Sequence, residues 1–193
     1  TYLLDGYTNG AYRVQYTNRQ PVVFMNYPGH SPILDLSLHC MFMDTNSDNF
    51  YLSGMEVTPI DGVPTTERWG FRLSGGSHNV TFWYNTFHGM TATTGANNQA
   101  VIMATNSSVG TNWAIQDNNF SDVPYGYGII GYSVKNLLFS DNVMRRINGH
   151  SIGPKVGTSN WFIRNNRIYE GQGDGIWLYY SSGSNTYGDL DVS

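Results

Sequence analysis

A nine-residue segment recurs without a gap in the second half of the chain, and that recurrence restricts the possible folds more than any other feature. Asn112-Trp-Ala-Ile-Gln-Asp-Asn118-Asn-Phe120, Asn136-Leu-Leu-Phe-Ser-Asp-Asn142-Val-Met144 and Asn160-Trp-Phe-Ile-Arg-Asn-Asn166-Arg-Ile168 begin 24 residues apart. An earlier copy, from Asn79 to Phe87, lies 33 residues upstream, and a fainter one, from Asn49 to Val57, a further 30. A conserved-length core joined by loops of variable length is the pattern of a solenoid, whose units bury their apolar faces only by stacking. Within each copy apolar residues alternate (Val80 and Phe82, Trp113 and Ile115, Leu137 and Phe139, Trp161 and Ile163), which is the period of a strand. The asparagine after each strand (Asn85, Asn118, Asn142, Asn166) then falls at one turn of every coil, where stacked amides can hydrogen-bond along a column. The expected fold is all-β: a right-handed parallel β-helix with about 24 residues per coil plus longer loops, each coil built from a strand, an Asn turn, a second strand and a loop. The hand follows from the strong preference of parallel crossover connections.

The 193 residues suffice for one domain with a substantial core, and no boundary within residues 1–193 is visible. No apolar run approaches the roughly 18 residues of a membrane span, so no membrane partner is expected. The net charge of −4 argues against a general nucleic-acid binder. Cys40 is the only cysteine, which excludes an intrachain disulfide framework and a cysteine metal cluster; it reads as a small buried apolar residue. Residues 20–35 read as two short strands around a Tyr27-Pro28-Gly29 turn, after a turn-rich N-terminal region. The chain opens inside a strand-like Thr1-Tyr-Leu-Leu and ends at Asp191-Val-Ser without a polar cap, so a fragment of a longer, exported protein is expected. The longer loops, 58–68 and 89–99, are where a binding surface is expected.

Stacking turns sequence offsets into neighbours about 4.8 Å apart. Four residues after each turn asparagine come Asp122, Arg146 and Glu170, which places Arg146 between two carboxylates. One residue before it come Asp117, Asp141 and Asn165, so two like charges meet on adjacent coils. They are either solvated turn aspartates or a site for a hard cation such as Ca2+. Aligning Ile129, Ile152 and Ile176 stacks Tyr127, His150 and Asp174 in one column and Tyr132, Lys155 and Tyr179 in another. A lysine between tyrosines, with a histidine and an aspartate nearby, fits a sugar-binding cleft equipped with a base, or else a solvated lysine on a β-helix face. Six of the ten basic residues (Lys135, Arg145, Arg146, Lys155, Arg164, Arg167) lie between 135 and 167, which suits an acidic polysaccharide as partner. Oligomeric state is not legible.

Residues 20–35 resemble the opening coil of bacterial right-handed β-helix polysaccharide lyases. Asn148-Gly-His-Ser-Ile-Gly-Pro-Lys155 through Asn160, followed by Gln172-Gly-Asp-Gly-Ile-Trp-Leu-Tyr179, is similar to the lysine region of family nine pectate lyases. That resemblance implies secretion, β-elimination on a uronate polymer, Lys155 as the base that takes the C5 proton, and calcium held by aspartates, here Asp117 and Asp141. Arg145 or Arg146 would then pair with the uronate carboxylate, and the stacked columns put Tyr132, His150, Asp174 and Tyr179, together with Arg164, along the substrate cleft. Gly149-His150-Ser-Ile-Gly153 resembles a motif of polygalacturonases, so hydrolysis stays open, as does a non-catalytic carbohydrate-binding or fibre module in which tyrosines and tryptophans serve as stacking platforms.

Overall fold

The computed structural model describes residues 5–6, 11–14, 21–36, 40–43, 48–59, 69–73, 76–90, 100–104, 109–178 and 190–193. Three sheets run along the stack. The first contains β1 (Asp5–Gly6), β2 (Ala11–Val14), β5 (Cys40–Met43), β8 (Trp69–Leu73), β11 (Ala100–Ala104), β14 (Tyr127–Gly131) and β17 (Ile152–Pro154). The second contains β3 (Val22–Met25), β6 (Phe50–Ser53), β9 (His78–Trp83), β12 (Gly110–Gln116), β15 (Val134–Ser140), β18 (Ser159–Arg164) and β20 (Leu190–Val192). The third contains β4 (Ile33–Asp35), β7 (Glu56–Thr58), β10 (Thr86–His88), β13 (Asn119–Val123), β16 (Val143–Ile147) and β19 (Arg167–Tyr169). From β3 to β19 the chain visits second, third and first sheet in turn, and among the described residues every pairing between coils is parallel, while β1 and β2 pair antiparallel.

The register follows the sequence repeat: Val80 pairs with Trp113, Trp113 with Leu137 and Leu137 with Trp161. Each coil has three strands rather than two. The additional strand directly follows the turn asparagine, and β7, β10 and β19 are three residues long with one central residue packed inward (Val57, Phe87, Ile168), too short for an alternation to show. The interior is a column of rings, with Phe87 stacked on Phe120 at 4.8 Å and 13°, and Phe71 meeting Phe82 edge-on at 5.1 Å. Trp113 and Trp161 enter the same core because their indole N–H groups reach the carbonyls of Ser77 and Val134, each at 2.9 Å.

Two asparagine ladders fix the coils. In the inner one, Oδ1 of each asparagine accepts both the main-chain and the side-chain N–H of the asparagine one coil earlier. Asn85 donates to Asn118 at 2.9 and 3.0 Å, Asn118 to Asn142 at 3.0 and 3.1 Å, and Asn142 to Asn166 at 3.0 Å twice. The second ladder is formed by the first residue of each repeat and runs along the exposed side: Asn79 to Asn49, Asn112 to Asn79, Asn136 to Asn112 and Asn160 to Asn136, at 2.9–3.2 Å. All five of its members have positive φ, between 54° and 59°, a conformation asparagine tolerates better than most residues. A second left-handed column precedes the inner ladder: Gly54, Tyr84, Asp117, Asp141 and Asn165. Cys40's side chain and most of loops 58–68 and 89–99 lie outside the described residues.

Asn142→Ala leaves the buried Asn118 N–H without an acceptor and is expected to cost about 2–4 kcal/mol, whereas the exposed Asn136→Ala is expected to cost about 1 kcal/mol, mostly as backbone strain. Chemical denaturation of the two variants beside the wild type checks that order. Tyr84 is 70% exposed with φ 56°, so Tyr84→Asn is expected to stabilise the chain by about 1 kcal/mol, read as a raised unfolding midpoint.

Candidate functional site

The outer face of the first sheet turns polar and aromatic where β14 and β17 meet the coil above. Ile129 pairs with Ile152, and Ile152 with Ile176, so the alignment read from sequence is the register of the structure. Glycines allow these coils to approach: a Cβ at Gly149 would run into the carbonyl of Gly126, and one at Gly173 into that of Gly149. The next residue of each coil, Tyr127, His150 and Asp174, forms the first column of the site. Gly153 leaves a second space, since a Cβ there would sit 2.8 Å from Cε1 of Tyr127. The phenol ring occupies that space and lies along the sheet towards Lys155.

Lys155 follows β17 directly. Its backbone is fixed by a hydrogen bond from its N–H to the carbonyl of Gly131 (2.8 Å), and its own carbonyl accepts from the Thr158 hydroxyl (2.8 Å). The side chain is 2% exposed. Nζ donates to the Tyr127 hydroxyl at 3.0 Å and stands 3.9 Å from the centre of the Trp177 indole and 4.9 Å from that of the Tyr127 ring. Burial lowers its pKa from the ordinary 10.5 to about 8, because the ammonium form loses hydration that the amine does not need. A substantial neutral fraction is therefore present at mildly alkaline pH.

His150 packs between the same two rings, 5.1 Å from Tyr127 and stacked on Trp177 at 4.4 Å and 20°. Its Nδ1 meets Asp174 twice: the Asp174 main-chain N–H lies at 3.2 Å and the carboxylate Oδ2 at 3.0 Å. With the proton on Nε2, Nδ1 accepts from the amide; with a proton on Nδ1, it donates to the carboxylate. The site thus combines a base-capable amine, a phenol, an imidazole oriented by a carboxylate, and an indole that covers both the lysine and the imidazole.

Of the residues expected from sequence, the structure brings Lys155, His150 and Asp174 together, with Tyr132 packed against the apolar cluster that contains Tyr127. Tyr179 lies outside the described residues. Arg145 and Arg146 lie on β16 of the third sheet. Arg146 binds Asp122 through both Nε and Nη2 (2.5 and 2.8 Å) and reaches Glu170 at 3.4 Å, while Arg145 holds Glu170 at 2.7 Å. These hydrogen bonds hold the carboxyls of Asp122 and Glu170 below the usual range. The structural pairing expected for Arg146 is therefore present. Arg164 ends β18 of the second sheet and is exposed. Asp117 and Asp141 occupy left-handed positions at the corner between second and third sheets, and one Asp117 oxygen accepts from the Trp83 indole at 2.9 Å. Calcium takes six to eight oxygens, and among the described residues no group of three or more His, Cys, Asp or Glu side chains is placed to share an ion. The donors described do not fit that ion, and no step below passes through it.

Trp177 is the residue that sequence reasoning missed. The corner places two successive residues inward in each coil: a Cβ at Gly128 would meet Met144 of the core and one at Gly175 would approach Ile168, while Ile129 and Ile176 also point inward. Simple alternation fails there, and a residue three positions after the Tyr127–His150–Asp174 column returns to the outer face. The available signal was the column Ile130, Gly153, Trp177, in which one glycine stands among large side chains.

No curated protein and no solved structure matches the chain. The family described as right handed beta helix region matches residues 45–189, three quarters of the sequence, and its winding is the one expected for the repeat. On that match, and on the three parallel sheets beneath it, the chain belongs to the right-handed β-helix family.

Proposed function

We propose that the protein is a polysaccharide lyase that cleaves a uronate-containing polymer by β-elimination, with Lys155 as the base. The observation that carries this reading is the buried amine beside Tyr127 and Trp177, whose pKa lies near 8. A lysine acts as a general base only in its neutral form, and burial brings that form within reach of mildly alkaline conditions. The resemblance of residues 148–160 and 172–179 to the lysine region of family nine pectate lyases supports the same assignment. An acidic polymer and an extracellular setting belong to this proposal.

With Lys155 at 2% exposure, a uronate reaches Nζ only when the indole of Trp177 moves off it, so substrate entry includes displacement of that ring. The same burial favours one alternative, a carbohydrate-binding module in which Trp177 and His150 form the contact surface and Lys155 only shapes it.

Ultraviolet absorbance of unsaturated products, followed with a panel of uronate polymers, separates the two. The lyase reading expects absorbance that rises with pH through about 8 and is abolished in Lys155→Ala; binding without any product sinks it in favour of the module. Stability gives an independent check of the buried amine. The folded pKa is depressed, so between pH 8 and 10.5 the unfolded chain binds more protons and stability rises with pH. Lys155→Met cannot titrate, and its stability advantage over the wild type is expected to shrink by roughly 1 kcal/mol per pH unit across that window, measured by denaturation at fixed pH values.

A further inference from the structure

We propose that His150 is the general acid of the site, protonating the leaving glycosidic oxygen, and that its place beside Lys155 on one sheet face makes the elimination syn. The substrate class is then a polymer of uronates whose C5 hydrogen and C4 oxygen lie on the same face of the ring, as in D-glucuronate and D-mannuronate. This rests on the lyase reading of the Lys155 site.

Base and acid must both face the reacting carbons, and the fold sets the two side chains five residues apart in the same coil, on the same outer face of the first sheet. Both are packed between the Tyr127 ring of the coil before and the Trp177 indole of the coil after. Lys155 is sealed, whereas the His150 side chain is 27% exposed. Its ring is oriented by Asp174, whose main-chain N–H and carboxylate both meet Nδ1. Among the described residues Nε2 makes no hydrogen bond, so it is the ring nitrogen available to a ligand. The charged and titratable groups packed about the imidazole are Asp174, Lys155 and Tyr127. Asp174, whose side chain is 62% exposed, acts through His150 and is a positioning residue.

In the step itself the C5–H bond breaks and its proton passes to the neutral Lys155 amine. The electron pair forms the C4–C5 double bond, the C4–O4 bond breaks, and O4 takes the Nε2 proton of His150 in its imidazolium form, leaving a neutral imidazole whose Nδ1–H stays on Asp174. Proton donor and acceptor then return to their starting states by exchange with water. Two protein groups side by side on a sheet approach a sugar ring from one side. Removal of H5 and protonation of O4 from that side requires the two to be cis.

The test uses the whole chain with polymannuronate, hyaluronan, polygalacturonate and polyguluronate, followed by absorbance of unsaturated product. The expected result is turnover of polymannuronate or hyaluronan and none of the other two. On the substrate that is turned over, His150→Gln is expected to lower kcat by about 10²–10⁴-fold with a small change in KM. A uronoside carrying an activated aryl leaving group at C4 is expected to restore its rate, because a good leaving group needs no acid. Lys155→Ala is expected to stay inactive on both substrates. Asp174→Asn is expected to lower the population of the Nδ1–H tautomer of His150, read from its ring nitrogen chemical shifts. Cleavage of polygalacturonate or polyguluronate alone overturns the syn assignment while leaving the lyase reading in place. A folded His150→Gln with undiminished rate, or one inactive on the activated substrate too, removes the acid role. Absence of turnover on all four polymers sinks the lyase reading and this inference with it.

Discussion

The inner asparagine ladder is the interaction on which the stack depends. Parallel pairing satisfies the backbone within each sheet, but where the chain turns from second to third sheet its N–H groups would enter the interior unpaired. Each ladder amide supplies the missing acceptor for the coil before it, and its own Nδ2 reaches back to a main-chain carbonyl: Asn118 to Phe82 and Asn142 to Ile115 at 2.9 and 2.8 Å. A buried N–H without a partner costs about 1–3 kcal/mol, which makes this corner the one where the chain has least freedom to vary. The ladder also aligns the coils whatever lies between them. Separations of 30, 33, 24 and 24 residues between the outer-ladder asparagines all return to the same register, and the surplus is placed in loops.

Register propagates to the aromatic interior. Once the ladder fixes which residue faces which, Phe50, Phe82 and Phe87 come within ring contact of one another or of Phe71, and Phe120 stacks below Phe87. A shift of one residue would turn every such ring to solvent, so ladder and core enforce the same alignment by different physics. The left-handed columns follow from the same geometry. Each corner needs one residue at positive φ per coil, and the sequence supplies mainly asparagine, aspartate and glycine there, with Tyr84, Arg146 and Glu170 among the strained exceptions.

Most of this architecture was legible because the repeat is a statement about stacking, and stacking fixes neighbours. The column of Asp122, Arg146 and Glu170 and the alignment of Ile129, Ile152 and Ile176 could be read directly from offsets. The third strand was not, since it is three residues long with one inward side chain in several coils, and where it reaches five residues its inward side chains stand three apart (Phe120 and Val123, Met144 and Ile147), so no alternation shows. The outer ladder was visible only as a recurrent first residue, because nothing in an exposed asparagine says that its neighbour one coil away also holds the left-handed conformation. Trp177 was hidden by the corner, where two consecutive inward residues break the alternation that assigns faces. Arg145 and Arg146, expected to share a cleft with Lys155, stand on the third sheet instead: nine or ten residues of a coil cross from one sheet to another, so nearness along the chain becomes separation around the stack.

The candidate site departs from the economy of the rest of the fold. An outward face of a solenoid sheet ordinarily meets water, yet here Tyr127 and Trp177 close over a lysine, and Gly153 gives up a side chain to make room for the phenol. The cationic field that would otherwise lower a lysine's pKa is spent elsewhere, because Arg145 and Arg146 are engaged by Asp122 and Glu170 on the third sheet. The amine is tuned by burial alone. Desolvation is not screened by salt as charge–charge terms are, so such a site keeps its proton affinity across ionic strengths, at the expense of depending on the close packing of two rings and one glycine. A rigid, ladder-pinned stack is what holds that packing in place. The order that the asparagines impose on the backbone is therefore the condition for the burial that lowers the lysine's pKa.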